Sequence, residues 1–518
     1  MSSLRIGIDV GGTNTDAVLL DGAQVLASTK VPTTRDVTSG ITQVLTALKE
    51  LNGFSPDHIR GVMIGTTHFI NALIEARDLC PTAAIRLGLP ATASLPPFTD
   101  WPGTLTNAVK GRAYLAHGGH EFDGRPISPF DPDEIRRHAA DIAAHGIRSV
   151  AVSSVFSPVN DEFEQRTLAI LREELGPEFP VSLSHEIGRV GLLERENATI
   201  VNASLAEMAN RIVDGLAKAV LEQGITAPLY VSQNDGTLMD IEYTRRYPVA
   251  TFASGPTNSM RGAAALSGFS DCLIVDIGGT TTDVGVLVNG FPRESSTHVR
   301  LAGLRTNFRM PDVLSAGLGG GSRMRTDQGT VGPDSVGYRL TEESLVFGGS
   351  VLTATDIAVR SGRADVGDAS LVSHVSDAVV RSALEQIDRT IADIADRIRT
   401  SSAELPVVAV GGGSILLAEK LDGLGTIHRP ENFDVANAYG AAIAQISGEV
   451  DRVSSIADGD QKRALESARQ EAVDRAVAAG ANPDTVTIVE QEAIPIPYLP
   501  GNAMRVRVKA AGNLTLGK

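Results

Sequence analysis

Two segments of this chain carry residue types that could grip a polyphosphate. Residues 9–16 read Asp-Val-Gly-Gly-Thr-Asn-Thr-Asp, and residues 276–283 read Asp-Ile-Gly-Gly-Thr-Thr-Thr-Asp. Adjacent glycines let a backbone approach a ligand with no Cβ in the way, and the N–H groups of such a turn can point at phosphate oxygens. The threonine hydroxyls add donors. The aspartates repel phosphate, so the pattern implies a cation between them. Mg²⁺ held by one or two carboxylates, its own waters and phosphate oxygens fits that need. One copy alone could be an ordinary glycine-containing turn. Two copies with Asp at both ends read as a duplicated phosphate clamp.

The flanks repeat as well. Each copy follows an apolar run (Leu4 to Ile8; Cys272 to Val275) and precedes another (Ala17 to Leu20; Val284 to Val288). Each second run meets a hairpin signal, Asp21-Gly22 or Asn289-Gly290, of the kind that favours a type I′ turn. Each half is therefore expected to build a strand, a glycine turn and a returning antiparallel strand. Between these anchors strand and helix patterns alternate. A helix is predicted over 38–51, a strand at 62–67 running into a helix at 68–77, and an amphipathic helix over 133–145. Further on, the spacing predicts a long helical segment over 192–222, a small-residue helix at 261–266 and a helix at 371–400. The strand 407–410 then ends in Gly411-Gly412-Gly413-Ser414, and 436–446 is a second small-residue helix. The tail offers a charged helix over 461–478, a strand near 486–490, a proline-punctuated stretch and a basic strand at 504–508. This alternation is that of an α/β protein with helices covering sheets.

Bulk properties narrow the class. With 518 residues the chain is long enough for about three domains. A formal net charge of −16 argues against nucleic acid or an anionic membrane surface as the main partner. Two cysteines, Cys80 and Cys272, lie far apart and cannot alone form a disulfide framework, a zinc ribbon or a cysteine-ligated cluster. Met1-Ser2-Ser3-Leu4-Arg5 leads straight into the first strand with no signal peptide, and no apolar run is long enough to span a bilayer. A cytoplasmic protein is expected.

The order of motifs resembles the nucleotide site shared by acetate and sugar kinases, heat-shock chaperones and actin. In that superfamily the first clamp, a connecting element, the second clamp, an adenosine-binding glycine turn and a second connecting helix follow in sequence. Here they match 9–16, 254–268, 276–283, 410–414 and 436–446. Within it the chain resembles the hydantoinase/oxoprolinase family. Gly-Thr-Thr-His-Phe-Ile-Asn-Ala-Leu-Ile-Glu (65–75), Ser-His-Glu-Ile (184–187), Glu194-Arg195-Glu196-Asn197-Ala198-Thr199 and Ala253-Ser254-Gly255-Pro256 carry the likeness. Asp312, Gly317, Gly319-Gly320-Gly321-Ser322 and Val331-Gly332-Pro333-Asp334-Ser335 continue it.

The resemblance implies a duplicated actin-like ATPase fold, two ribonuclease-H-like lobes around a nucleotide cleft, with a short C-terminal α/β extension. On that basis residues 1–190 form the first lobe, 191–455 the second lobe with the adenosine turn, and 456–518 the extension. It also implies ATP and Mg²⁺ as cofactors and ATP-dependent hydrolysis of a cyclic amide such as a hydantoin, 5-oxoproline or a lactam. The expected partners are that substrate and a second hydrolase subunit or further copies of the chain. Asp9 and Asp276 are the expected metal residues, acting through its waters. Asp283 would position a water or take a proton, with Asp16 its counterpart; both could instead stabilise their turns. Gly11, Gly12, Thr13, Asn14, Gly278, Gly279, Thr280 and Thr281 would clamp phosphates, and Gly411, Gly412 and Gly413 would face adenine and ribose. Gly319 and Gly320 form either another phosphate loop or a mobile glycine loop. Thr66, Thr67, His68 and Asn71, at a helix start, are assigned to the substrate side. His185-Glu186 is an acid/base candidate or simply a packed pair, and His117-Gly118-Gly119-His120-Glu121 reads as a loop. Two alternatives share these features: a small-molecule kinase of the same fold, and an ATP-binding subunit that drives a separate catalytic partner.

Overall fold

The computed structural model describes residues 4–33, 37–295, 299–307, 310–325, 329–400, 404–454, 461–496 and 503–515. The proline-punctuated stretch of the tail lies mostly outside them. Two sheets repeat one topology. In the first, Leu4–Val10 pairs antiparallel with Asn14–Asp21, which pairs antiparallel with Gln24–Pro32. On its other side Leu4–Val10 pairs parallel with Ile59–Thr66, which pairs parallel with Leu229–Ser232. In the second sheet Cys272–Ile277, Thr282–Val288, Phe291–Pro292, Val407–Val410 and Gly425–His428 take the same places with the same directions. This is the ribonuclease-H-like order, present twice, and the fold is the duplicated actin-like one.

The expected boundaries at 190 and 455 do not follow sheet membership. The first sheet continues past Leu229–Ser232 through Thr237–Asp240, Gln445–Ser454, Met504–Gly512 and Thr487–Pro495. The physical reason is that buried backbone N–H and C=O groups must be paired. Strand Ile59–Thr66 therefore needs a neighbour on each side, and the chain supplies it from beyond residue 190. Two strands of the C-terminal residues, Met504–Gly512 and Thr487–Pro495, thus belong to the first sheet, with Thr487–Pro495 at its edge. Helix Gln461–Ala478 covers that edge through Ala468, Ala472 and Ala476, all fully buried. Residues 82–183 insert a parallel sheet of Arg112–His117, Thr82–Leu89, Ser149–Ser154 and Val181–Leu183.

Local outcomes follow backbone chemistry. At the second hairpin Asn289 and Gly290 both have positive φ, the type I′ signature. At the first, Asp21 pairs with Gln24, and only Gly22 of the two central residues has positive φ. That turn is type II′, not I′. The segment predicted as one long helix is two, Leu192–Ser204 and Ala206–Glu222. The second small-residue helix ends at Ile443, and Gln445 already starts a strand. No helix among the described residues is long and apolar enough to cross a membrane.

Two helices rich in small residues, Ser254–Ser267 and Ala436–Ile443, cross at backbone distance. A Cβ at Gly262 would collide with the Ala436 carbonyl, and one at Gly440 with the Asn258 carbonyl. Backbone cannot yield as a flexible side chain does. Gly262→Ala and Gly440→Ala should each cost about 2–3 kcal/mol in urea unfolding. A loss below about 0.5 kcal/mol in both would show that the crossing relaxes.

Candidate functional site

The repeated topology gives both clamps one construction. The register pairs Asp9 with Asp16 and Asp276 with Asp283 across their hairpins. Each turn closes with the same bond: Gly11 N–H donates to the Asn14 carbonyl at 3.0 Å, and Gly278 N–H to the Thr281 carbonyl at 2.9 Å. The next two N–H groups of each turn, those of Gly12 and Thr13 and of Gly279 and Thr280, have no acceptor among the described residues. They are donors held ready on a rigid turn. The parallel neighbour of each clamp strand carries a glycine within one residue of its end, beside the first aspartate. A Cβ at Gly65 would run into the Asp9 carboxylate, and one at Gly411 into that of Asp276.

The two turns face each other. A Cβ built on Gly279 would stand 3.2 Å from the Thr13 hydroxyl. Between the lobes the carboxylates feel one another. Burial pushes Asp9 up to about 7, with the charges of Asp16 and Asp276 adding to the rise. Burial raises Asp276 as well, against a hydrogen bond from Ser259 and the charge of Lys30. Asp283 is pushed up to about 6 by burial, opposed by the Ser315 hydroxyl. Asp9 is fixed by two amides from the crossing helices: Asn258 donates at 3.4 Å and Asn437 at 3.1 Å. Asn437 also donates to Asp16 at 2.8 Å, and Lys30 Nζ lies 2.8 Å from the other Asp16 oxygen.

Such a set of hard oxygen ligands, with neither thiolate nor imidazole, suits Mg²⁺. Raised carboxyl groups facing one another are also what an added cation would relieve. Among the described residues no three His, Cys, Asp or Glu side chains form a metal-holding group. A cation here would take most of its ligands from outside the protein.

Other candidates fall elsewhere. Gly319 and Gly320 lie against the second clamp, but their N–H groups are spent: Gly319 donates to Ser322 Oγ at 2.9 Å and Gly320 to the Gly278 carbonyl at 3.0 Å. Gly321 likewise donates to the Gly279 carbonyl at 2.7 Å. This loop braces the turn, and these three N–H groups are taken up by the protein itself. Gly413 packs on Ile277 and Gly278, whereas Gly412 is exposed and would meet nothing with a Cβ, so the turn has an open side. Thr66 pairs with Val10 at the end of the first clamp strand, and its hydroxyl meets His68 Nδ1 at 2.8 Å. Asn71 donates to Thr67 Oγ1 at 3.4 Å, and Thr67 donates to the Val10 carbonyl at 3.3 Å. All four stand beside the first clamp and hold one another.

His185 and Glu186 are not at the clamps. His185 Nδ1 lies 2.6 Å from the buried Glu164, and Glu186 pairs with Arg246. Burial works against charge on His185, but Glu164, with the charges of Glu186 and Asp161, outweighs it and raises the imidazole. His185 and Glu186 line a cavity of about 410 Å³ that no clamp residue touches, and its charges are compensated, Arg189 by Asp451 within the lining and Asp235 by Lys509 outside it. In the glycine loop His117 meets Glu134, and His120 is buried and stacked on Phe163.

The residues that sequence reasoning missed are Lys30, Asn258, Asn437, Ser259 and Ser315. Only the small-residue pattern of the two helices signalled that polar side chains on them could reach the clamps.

The hydantoinase/oxoprolinase N-terminal region is matched over residues 5–175 and the hydantoinase/oxoprolinase region over 195–368. The chain belongs to the hydantoinase/oxoprolinase family. It is 27% identical over 466 residues to the caprolactamase subunit alpha of Pseudomonas jessenii, covering 85% of this chain but 65% of that subunit. The chain thus spans less than two thirds of that relative's length. The crystal structure of the ATP-dependent caprolactamase from Pseudomonas jessenii superposes with a TM-score of 0.79 at 20% identity, over 99% of this chain and 88% of that one. A nucleotide-free acetone carboxylase structure superposes with a TM-score of 0.70 at 19% identity, over 100% and 89%. At these identities the superpositions speak for the fold.

Proposed function

We propose that this chain binds Mg-ATP between its two clamps and uses the γ-phosphate to activate the carbonyl of a cyclic amide for hydrolysis, working with a second subunit. The observation that carries the reading is the approach of the two Gly-Gly-Thr turns, Thr13 against Gly279, with unspent N–H donors on both. The relatives support it in their own terms: one is an ATP-dependent caprolactamase, and its sequence counterpart is a subunit.

The chemistry needs such a site. An amide carbonyl is a poor electrophile and its nitrogen a poor leaving group. Attack of the carbonyl oxygen on the γ-phosphorus releases ADP and leaves an imidate-like phosphate, whose carbon water can attack. The ring nitrogen, once protonated, leaves and the ring opens to an acyl phosphate, which a second water hydrolyses to the carboxylate and free phosphate. The chain's part is positioning and charge neutralisation, as in other phosphoryl transfers. Gly12, Thr13, Gly279 and Thr280 would hold phosphate oxygens. Asp9 and Asp276 would hold Mg²⁺ through its waters; when bound, the ion neutralises charge on the phosphates. Gly411, Gly412 and Gly413 would face the adenosine.

Asp283 is the proton acceptor in this reading. It must be ionised to accept, so turnover should rise with pH through about 6 and level off above. Asp283→Asn should remove that rising limb and lower turnover at neutral pH at least tenfold. An unchanged limb in the variant would assign it to another group.

The direct test is phosphate release from ATP in the presence of cyclic amides and ureas, with the chain alone and with its co-purifying partner. Amide-stimulated release of free phosphate and a ring-opened product is expected. Phosphate retained on the product would make the chain a kinase, and ATP turnover indifferent to every amide would remove this substrate class.

A further inference from the structure

The two clamps are copies, yet they differ at one position of the fold. Across the strand from the second aspartate, the first lobe places Lys30 opposite Asp16 and the second places Ser315 opposite Asp283. Both partners reach their carboxylate. Lys30 Nζ stands 2.8 Å from Asp16 Oδ1, and the Ser315 hydroxyl donates to Asp283. An ammonium therefore occupies in one half the place that a neutral hydroxyl occupies in the other.

The surroundings fix that ammonium in position. Lys30 also donates to the Asp434 carbonyl at 3.3 Å, just before helix Ala436–Ile443. Asn437 of that helix holds the second oxygen of Asp16 and one oxygen of Asp9. Asp16, 4% exposed, thus has both oxygens occupied, one by the ammonium and one by the amide. The charge of Lys30 also reaches across the cleft, where it opposes the rise of Asp276.

We propose that Lys30 is a positioning residue that serves as a built-in cation of the acidic cleft, so that the carboxylates take up a divalent ion together with a nucleotide and not ahead of it. This deepens, and rests on, the reading of the cleft as a Mg-nucleotide site. Carboxylates facing one another without internal compensation attract a divalent ion and repel a polyphosphate. One fixed positive charge weakens both effects at once. Removing it should therefore move two affinities in opposite directions. General loss of structure moves both the same way.

The experiment uses the full chain with Mn²⁺ as the probe. Paramagnetic resonance of free Mn²⁺ gives its affinity without nucleotide, and calorimetry on the same preparations gives that of Mg-ATP. Lys30→Met is expected to bind Mn²⁺ alone at least tenfold more tightly and Mg-ATP at least tenfold more weakly. Lys30→Gln should shift both in the same senses, and Lys30→Arg, which keeps the charge, should restore both toward wild type. Lys30 is about one-third exposed, so these variants are expected to fold. Unchanged or weaker Mn²⁺ binding in both neutral variants, with wild type binding Mg-ATP normally, would overturn the role of Lys30 alone. A wild type that binds no Mg-ATP would overturn the nucleotide reading and this inference with it.

Discussion

Asp9→Ala and Asp276→Ala are each expected to lower ATP turnover at least a hundredfold, about 2.7 kcal/mol of transition-state stabilisation. The two residues are equivalent by construction. Each is the first aspartate of its clamp, each pairs across the hairpin with the second, and each abuts a glycine within one residue of the end of the neighbouring parallel strand. Alanine keeps the strand and removes the oxygens that would carry the cation's water shell. Stability should respond in the opposite sense. With the folded carboxyl of Asp9 pushed up to about 7, the folded state binds a proton that the unfolded chain has already released above about pH 4. Stability contributed by this group therefore falls as pH rises from about 4 to 7. Deleting either carboxylate relieves the repulsion. The ligand-free variants should melt no lower than wild type at neutral pH while losing turnover. Full activity in both variants would remove the metal assignment, and a large drop in melting temperature would make the loss structural.

Glu196→Gln is expected to destabilise the chain by about 3–5 kcal/mol in urea unfolding. Arg86 is 1% exposed and Glu196 is 2% exposed. Arg86 Nε donates to Glu196 Oε2 at 2.7 Å, a second Arg86 nitrogen pairs with Oε1, and Ser153 Oγ donates to Oε2 at 2.6 Å. Glutamine preserves size but leaves a guanidinium charge buried without its counter-ion. Helix Leu192–Ser204 would then lose one tie to the inserted parallel sheet and keep those of Arg195, which reaches Ser184 and the Ser154 carbonyl. The clamps are not part of this network, so the folded fraction should bind Mg-ATP as wild type does. A loss under about 1 kcal/mol would show that water or rearrangement satisfies Arg86.

That helix also marks where sequence stops informing. Glu194 to Thr199 carries part of the family likeness, but nothing in those letters says that Arg195, Glu196 and Asn197 are buried. Charged residues are read as solvated until a fold encloses them. The clamps were legible because strand, glycine turn and strand are local, and a hairpin register follows from the turn. The pairing of Asp9 with Asp16 needs no distant contact. Lys30, Asn258, Asn437 and Ser315 were not legible, because each reaches its aspartate across a strand pairing or a helix crossing. The loop at Gly319 was ambiguous for another reason. Glycines beside a clamp can lend N–H groups to a phosphate or to the protein, and only the acceptors present, Ser322 Oγ and the carbonyls of Gly278 and Gly279, decide it. Sheet order was not legible because a strand's neighbour need not be close in sequence; Gln445–Ser454 and Met504–Gly512 extend a sheet begun at Leu4.

The most direct measurement is a calorimetric titration of the ligand-free wild-type chain with Mg-ATP. The account predicts saturable heat with one nucleotide per chain, weakened at least tenfold in Asp276→Ala. Absence of binding heat, confirmed by equilibrium dialysis showing no retained nucleotide, would contradict the claim that the paired turns close on a magnesium-bound triphosphate.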